Sequence, residues 1–157
     1  MPVREKKGIS VMHYEKDGVQ GDFLKNGKNS SKYILFCIHG GGFVAGSAKG
    51  QREFACWLVE KGGYNVFSND YRLAPEHPFP CGAEDCLAAY RMLLRNYEAD
   101  HICLVGDSAG GNLVLSLVLQ AQDANLPLPK CVVALSPCVQ FDQRFPSFDD
   151  NVESDCM

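Results

Sequence analysis

The chain has 157 residues and a mass of 17.3 kDa, the length of one ordinary domain. Hydrophobic residues make up 46% and charged residues 22%, a globular balance that excludes a disordered chain, a collagen and a coiled coil. Fifteen Lys and Arg against nineteen Asp and Glu give a net charge of −4, so the basic footprint of a nucleic-acid or anionic-lipid binder is missing. The longest apolar run, Tyr33 to Ile38, falls far short of the roughly 18 residues that span a bilayer. Met1 to Ser10 carries basic residues with no apolar stretch behind them. That pattern reads as cytoplasmic, without a secretory leader.

The elements alternate in a regular way. A first strand opens at Gly8 and Ile9 and reaches Tyr14, and a second covers Val19 to Leu24. Lys16-Asp17-Gly18 between them is a hairpin turn signal. Tyr33 to Ile38 is uniformly apolar and ends in glycines, as a strand buried on both faces would. Phe54, Ala55, Leu58 and Val59 give Gln51 to Lys61 a helical stripe, and Gly62-Gly63 stops it. Asn65 to Ser68 is a short strand, and the prolines in Leu73 to Pro80 demand an irregular loop. Leu87, Tyr90, Leu94 and Tyr97 form a second helical face, with Glu84 and Asp85 near its N-terminus. Ile102 to Val105 is a strand. Leu113 to Leu119 reads as a buried helix of about 13 residues. Cys131 to Leu135 is the last strand. The tail from Phe141, with Asp142, Asp149, Asp150, Glu153 and Asp155, reads as a loop or the start of an unfinished element. Strands alternating with helices specify an α/β fold: a three-layer α/β/α sandwich with a mostly parallel sheet.

Eight cysteines invite a disulfide framework, but a chain this rich in core residues does not need one. No C-x-x-C pair occurs; the closest is Cys81 and Cys86. Cys37, Cys103 and Cys131 fall in strand-like runs and are expected to be small buried hydrophobes. Neither a metal nor a cofactor is expected.

The third strand runs into His39-Gly40-Gly41-Gly42-Phe43-Val44-Ala45-Gly46. Three readings compete. Gly40-x-Gly42-x-x-Ala45 loosely matches a dinucleotide fingerprint, with Glu60 at a suitable distance. That fingerprint should open directly into a helix, yet Ser47 to Gly50 intervenes. An oxyanion hole is the second reading, because glycines bare the backbone N–H groups to a developing negative charge. A tight turn alone is the third, and it needs fewer glycines.

Gly106-Asp107-Ser108-Ala109-Gly110-Gly111 contains G-x-S-x-G between a strand and a helix, the context of a nucleophile elbow. The serine stands on a sharp turn, and a Cβ at Gly106 or Gly110 would strike neighbouring backbone. The N–H of Ala109 then opens a helix and can face an oxyanion. G-x-S-x-G alone is weak, whereas His-Gly-Gly-Gly is far rarer by chance. Both together, in strand context and in this order, favour acyl transfer; the dinucleotide reading does not explain the serine turn.

Together with Asp70-Tyr71-Arg72-Leu73-Ala74-Pro75-Glu76-His77-Pro78-Phe79-Pro80 and Leu135-Ser136-Pro137, these motifs resemble the hormone-sensitive-lipase-like, or GDXG, carboxylesterases of the α/β-hydrolase superfamily. The resemblance covers about residues 30–157. It implies hydrolysis of short or medium acyl esters, with a small-molecule ester as substrate. Ser108 would be the nucleophile, and Gly41, Gly42 and Ala109 the oxyanion donors. His39, Gly40, Gly106, Asp107, Gly110 and Gly111 would support them, His39 shaping the glycine loop rather than acting as base. Asp70 to Pro80 would be scaffold.

A serine needs a base held by an acid, and in this fold both follow the nucleophile. No histidine follows Ser108; the four are His13, His39, His77 and His101. His101 opens the strand that leads to Ser108 and is expected roughly 13 Å away. The family's Asp-Pro-Leu and His-Gly-Phe motifs are absent. The expectation is therefore the N-terminal part of a single α/β-hydrolase domain, core 30–140, cut after about six strands and nearly inactive alone. N-terminal cap helices are expected to be short or missing. The alternatives are a non-catalytic ligand-binding module of the same fold, as in plant gibberellin receptors, and another serine hydrolase such as a peptidase.

Overall fold

A computed structural model describes residues 8–27, 31–141, 146–151 and 153–154. Six strands form one sheet: β1 (Ile9–Lys16), β2 (Val19–Asn26), β3 (Ile34–Ile38), β4 (Asn65–Asn69), β5 (Ile102–Asp107) and β6 (Cys131–Leu135). Their spatial order is β1-β2-β4-β3-β5-β6. β3, β4, β5 and β6 run parallel, whereas β2 pairs antiparallel with both β1 and β4. The β1–β2 hairpin turns at Asp17 and Gly18, with φ of 54° and 77°. Two positive φ values in succession make the tight turn that Asp-Gly favours.

Among the described residues four α-helices accompany the sheet, α1 (Arg52–Gly62), α2 (Cys81–Leu94), α3 (Ala109–Asp123) and the short α4 (Pro146–Asp150), with a 3-10 turn at Ala99–His101. The alternation of side chains along β3 explains the layers. Ile34, Phe36 and Ile38 point to one face and join Tyr90, Leu93, Val114 and Leu117 of α2 and α3. Leu35 and Cys37 point to the other and join Ala55, Cys56 and Val59 of α1. Helix α1 ends where Gly63 adopts φ 69° and donates its N–H to Val59 O at 3.1 Å, a left-handed cap. The three-layer α/β/α sandwich expected from the sequence is the observed architecture.

Several boundaries move. Helix α2 stops at Leu94, short of Tyr97, although Tyr97 still packs on the core. Strand β5 runs two residues beyond Val105, because Gly106 and Asp107 pair with Ala134 and Leu135 of β6. Ser108 is thus preceded by six extended residues, not four. The tail is not all loop, since Pro146–Asp150 is helical. Asp142 and Asp155 lie outside the described residues.

The described cysteines are free thiols. Cys37 is buried as expected, but Cys103 is half-buried and Cys131 exposed. The cause is the sheet edge. β6 pairs only with β5, and among the described residues nothing covers the side on which Cys131, Val133 and Leu135 stand. No helix among the described residues is long and apolar enough to cross a membrane.

Candidate active site

Parallel pairing of β3 and β5 creates the site. The register sets Ile38 against Gly106, so the chain leaving β3 and the chain leaving β5 emerge side by side. Ser108 follows β5 with φ 51° and ψ −117°, a conformation a non-glycine residue adopts only under constraint. Three backbone bonds supply that constraint. Ser108 N–H donates to Leu135 O at 2.9 Å, and Ser108 O accepts from Cys138 N at 3.1 Å and from Asn112 N at 3.1 Å. The Asn112 side chain also donates to Cys138 O at 2.8 Å, clasping the segment after β6 to the first turn of α3. Ser108 itself is exposed.

The glycines beside Ser108 are required by close approach. A Cβ on Gly106 would strike Gly110 O, and one on Gly110 would strike Ile38 O and lie 2.6 Å from His39 O. Strand β3, the turn after it and the start of α3 therefore meet at backbone contact.

On the other side, Gly41 (φ 115°), Gly42 (φ 62°) and Phe43 (φ 65°) make a left-handed turn. Gly41 O accepts from Val44 N and Ala45 N at 3.1 and 3.0 Å. The exposed N–H groups of Gly41 and Gly42 make no hydrogen bond with the described residues, and neither does that of Ala109 at the head of α3. Gly40 differs: its N–H donates to Asp107 Oδ1 at 3.1 Å. The same oxygen accepts from Gln51 Nε2 at 2.6 Å. Asp107 thus fastens the glycine turn to the strand end that carries Ser108.

His39 is buried, its Nδ1 2.8 Å from Gly40 O, its ring stacked on Tyr71 at 4.3 Å between centroids. Tyr71 returns its hydroxyl to His39 O at 2.9 Å. Burial pushes the Tyr71 phenol well above its ordinary range, with the charges of Cys86 and Asp107 adding to the effect, so it serves as a donor. Farther along the same segment, Arg72 binds Asp85 through Nε and Nη2 and also donates its backbone N–H. Ala74 N donates to Phe43 O at 2.9 Å, so the proline-rich loop supports the glycine turn from below.

A cavity of about 780 Å³ opens between the glycine turn and α3, lined among others by Gly42, Phe43, Phe79, Leu113, Leu119 and Phe141. Its walls are mainly apolar, and His77 reaches it. The other histidines lie elsewhere. His13 faces Asp22 across the hairpin at 3.2 Å, and His101 precedes β5 at the opposite end of the strand from Ser108. That separation is about 20 Å along six strand residues, more than the shorter strand implied. The Gly40–Asp107 bond ties the turn that carries Gly41 and Gly42 to the strand end that precedes Ser108 and Ala109; the Asp107–Gln51 link is what the motifs did not reveal. Gln51 sits outside every motif, and no pattern in the sequence marks it.

Known proteins match this chain in sequence and in fold. A family profile described as alpha/beta hydrolase fold covers residues 35–157. An acetyl-hydrolase of Streptomyces hygroscopicus is 35% identical over 117 residues, 74% of this chain and 39% of that protein. The hormone-sensitive lipase of Mus musculus is 38% identical over 112 residues, 68% of this chain and 15% of that protein. Among solved structures, the esterase EstE5 soaked with p-nitrophenyl butyrate superposes with a TM-score of 0.88 at 33% identity, covering 99% of this chain and 53% of that one. An esterase of the bacterial hormone-sensitive lipase family gives 0.87 at 34% identity over 96% of this chain and 51% of that one. The chain thus spans about half the length of these solved esterases and less of the curated relatives. It belongs to the alpha/beta hydrolase family, in the branch of hormone-sensitive lipase and its esterase relatives.

Proposed function

We propose that this chain supplies the nucleophile and the oxyanion donors of a serine carboxylic-ester hydrolase acting on short or medium acyl esters. The observation that carries the reading is that the turn with Gly41 and Gly42, whose N–H groups like that of Ala109 make no hydrogen bond among the described residues, is tied by Gly40 N–H to Asp107, the residue before an exposed serine held at φ 51°. Ser108 Oγ attacks the acyl carbonyl carbon and its proton passes to a base. The carbonyl oxygen takes up the electron pair and accepts from the three N–H groups. Collapse expels the alcohol and leaves an acyl-serine, which water cleaves to the acid. The apolar cavity beside Gly42 suits a hydrocarbon acyl or alcohol group.

The base is proposed to come from outside these 157 residues. No histidine follows Ser108, His39 is buried in the scaffold and His101 stands at the far end of β5. The esterase with which the chain superposes is nearly twice as long. Ser108 in this chain should therefore be acylated slowly by an activated ester and hydrolyse the product hardly at all. Mass spectrometry after incubation with p-nitrophenyl butyrate tests this. A butyryl group confined to the Ser108 peptide, without sustained turnover, is expected. Acylation spread over lysines and cysteines and unchanged by Ser108→Ala would overturn it.

A further inference from the structure

Gln51 immediately precedes α1 and belongs to neither the glycine turn nor the elbow. Its side chain makes no capping bond to the helix. Instead its Nε2 donates to Asp107 Oδ1 at 2.6 Å, the oxygen that also holds Gly40 N–H. A carboxylate only accepts hydrogen bonds, so the amide must present its nitrogen there. Its other end, Oε1, is buried without a protein partner among the described residues. Leaving Oε1 unpaired costs stability, so the side chain is held in place by the charge-assisted bond that Nε2 makes to Asp107.

We propose that Gln51 is a positioning residue for the oxyanion hole, acting through Asp107; the inference rests on the oxyanion reading above. Asp107 is one residue from Ser108, and its carboxylate must point at Gly40 to hold the turn. A carboxylate so close also opposes an oxyanion forming at the same place. The Gln51 amide does two things at once. It fixes the rotation of the carboxylate toward Gly40, and its N–H offsets part of the negative charge on Oδ1. Gly41 and Gly42, which follow Gly40 directly, then keep their N–H groups turned outward. The arrangement is one of polarity rather than shape.

Butylboronic acid reads it without a catalytic base. Ser108 Oγ bonds to boron, the hydroxyl proton leaves to solvent, and the tetrahedral anion occupies the oxyanion donors. Affinity is followed by the tetrahedral boron-11 signal at fixed pH, on the full chain and its variants, with the Gly40 amide proton resonance recorded alongside. Gln51→Met keeps the bulk and removes the donor. Gln51→Glu keeps the shape and turns a donor into an acceptor facing Asp107. The expected order of affinity is native, then Met about 10-fold weaker, then Glu weaker still, given that a lost oxyanion donor is worth 100-fold or more. The Gly40 amide signal should move upfield in the same order. If the Glu variant binds as well as the native chain or better than the Met variant, the role is packing and the proposal is overturned. If the native chain forms no adduct, the oxyanion reading fails first. If a variant loses the Gly40 signal together with its helical circular dichroism, the residue serves folding and the proposal is overturned.

Discussion

Asp107 Oδ1 lies 3.1 Å from the backbone nitrogen of Gly40, across 67 positions of sequence. This one contact joins the glycine turn after β3 to the strand end that carries Ser108. Two halves of the candidate site are thereby registered by a hydrogen bond as well as by the sheet.

That bond has a measurable weight. Asp107→Ala leaves Gly40 N–H and the Gln51 amide without their acceptor, and should destabilise by about 2 kcal/mol. Asp107→Asn retains an oxygen but loses the charge that strengthens both bonds, and should cost about half as much. Urea unfolding of the two variants gives the order directly; equal losses would mean that the carboxylate's charge contributes nothing.

Gly110 has no room for a methyl group. A Cβ would press on Ile38 O and His39 O, backbone atoms of the last residue of β3 and of the residue after it, whose carbonyl is held by the Tyr71 hydroxyl. Gly110→Ala should destabilise by about 3 kcal/mol, at the upper end for overpacking. Gly18→Ala is the contrast, since its Cβ meets nothing within 4 Å and only its φ of 77° resists. Its loss should be nearer 1 kcal/mol. Equal losses in thermal or urea unfolding would contradict the close-contact account.

Stability should fall at alkaline pH. Burial, with the Asp107 charge second, pushes the Cys37 thiol from its ordinary 9.0 up to about 12, and burial likewise pushes Tyr90 from 10.0 up to about 12. The folded state holds these protons more tightly than the unfolded one. Stability is therefore complete below pH 9 and declines as pH rises toward 12, by about 1.4 kcal/mol per pH unit for each group being titrated. Cys37→Ala should flatten the decline between pH 9 and 10, measured by urea unfolding at a series of pH values. An unchanged slope would place the titration elsewhere.

The open side of β6 should govern association. Val133 and Leu135 are 43% and 45% exposed on an edge strand, an arrangement that invites pairing with another chain. Val133→Lys should reduce light scattering on concentration while changing stability by less than about 0.5 kcal/mol. Scattering that does not change would locate the adhesive surface elsewhere.

The order of strands and helices was legible because period and punctuation coincide. Apolar β3 is closed by glycines, α1 is closed by Gly62-Gly63, and Cys131–Leu135 is bounded by proline and serine. The ends of α2 and β5 were less so. Tyr97 keeps a helical spacing but reaches the core from a turn, and Gly106-Asp107 looks like a loop until β6 pairs with it. Cys131 is exposed because this apolar strand lies at the sheet edge, with one face that nothing among the described residues covers. The two motifs pointed to Ser108 and the glycine turn. Gln51 could not be read at all, since its partner is 56 positions away and is brought near only by the sheet.

The central claim is that Gly41, Gly42 and Ala109 surround an oxyanion on a tetrahedral adduct of Ser108. A crystal structure of the chain with butylboronic acid measures it most directly. The account predicts boron bonded to Ser108 Oγ, with one boronate oxygen about 2.7–3.1 Å from those three nitrogens. A boron bonded elsewhere, or a serine adduct whose oxygens turn away from all three, would contradict it.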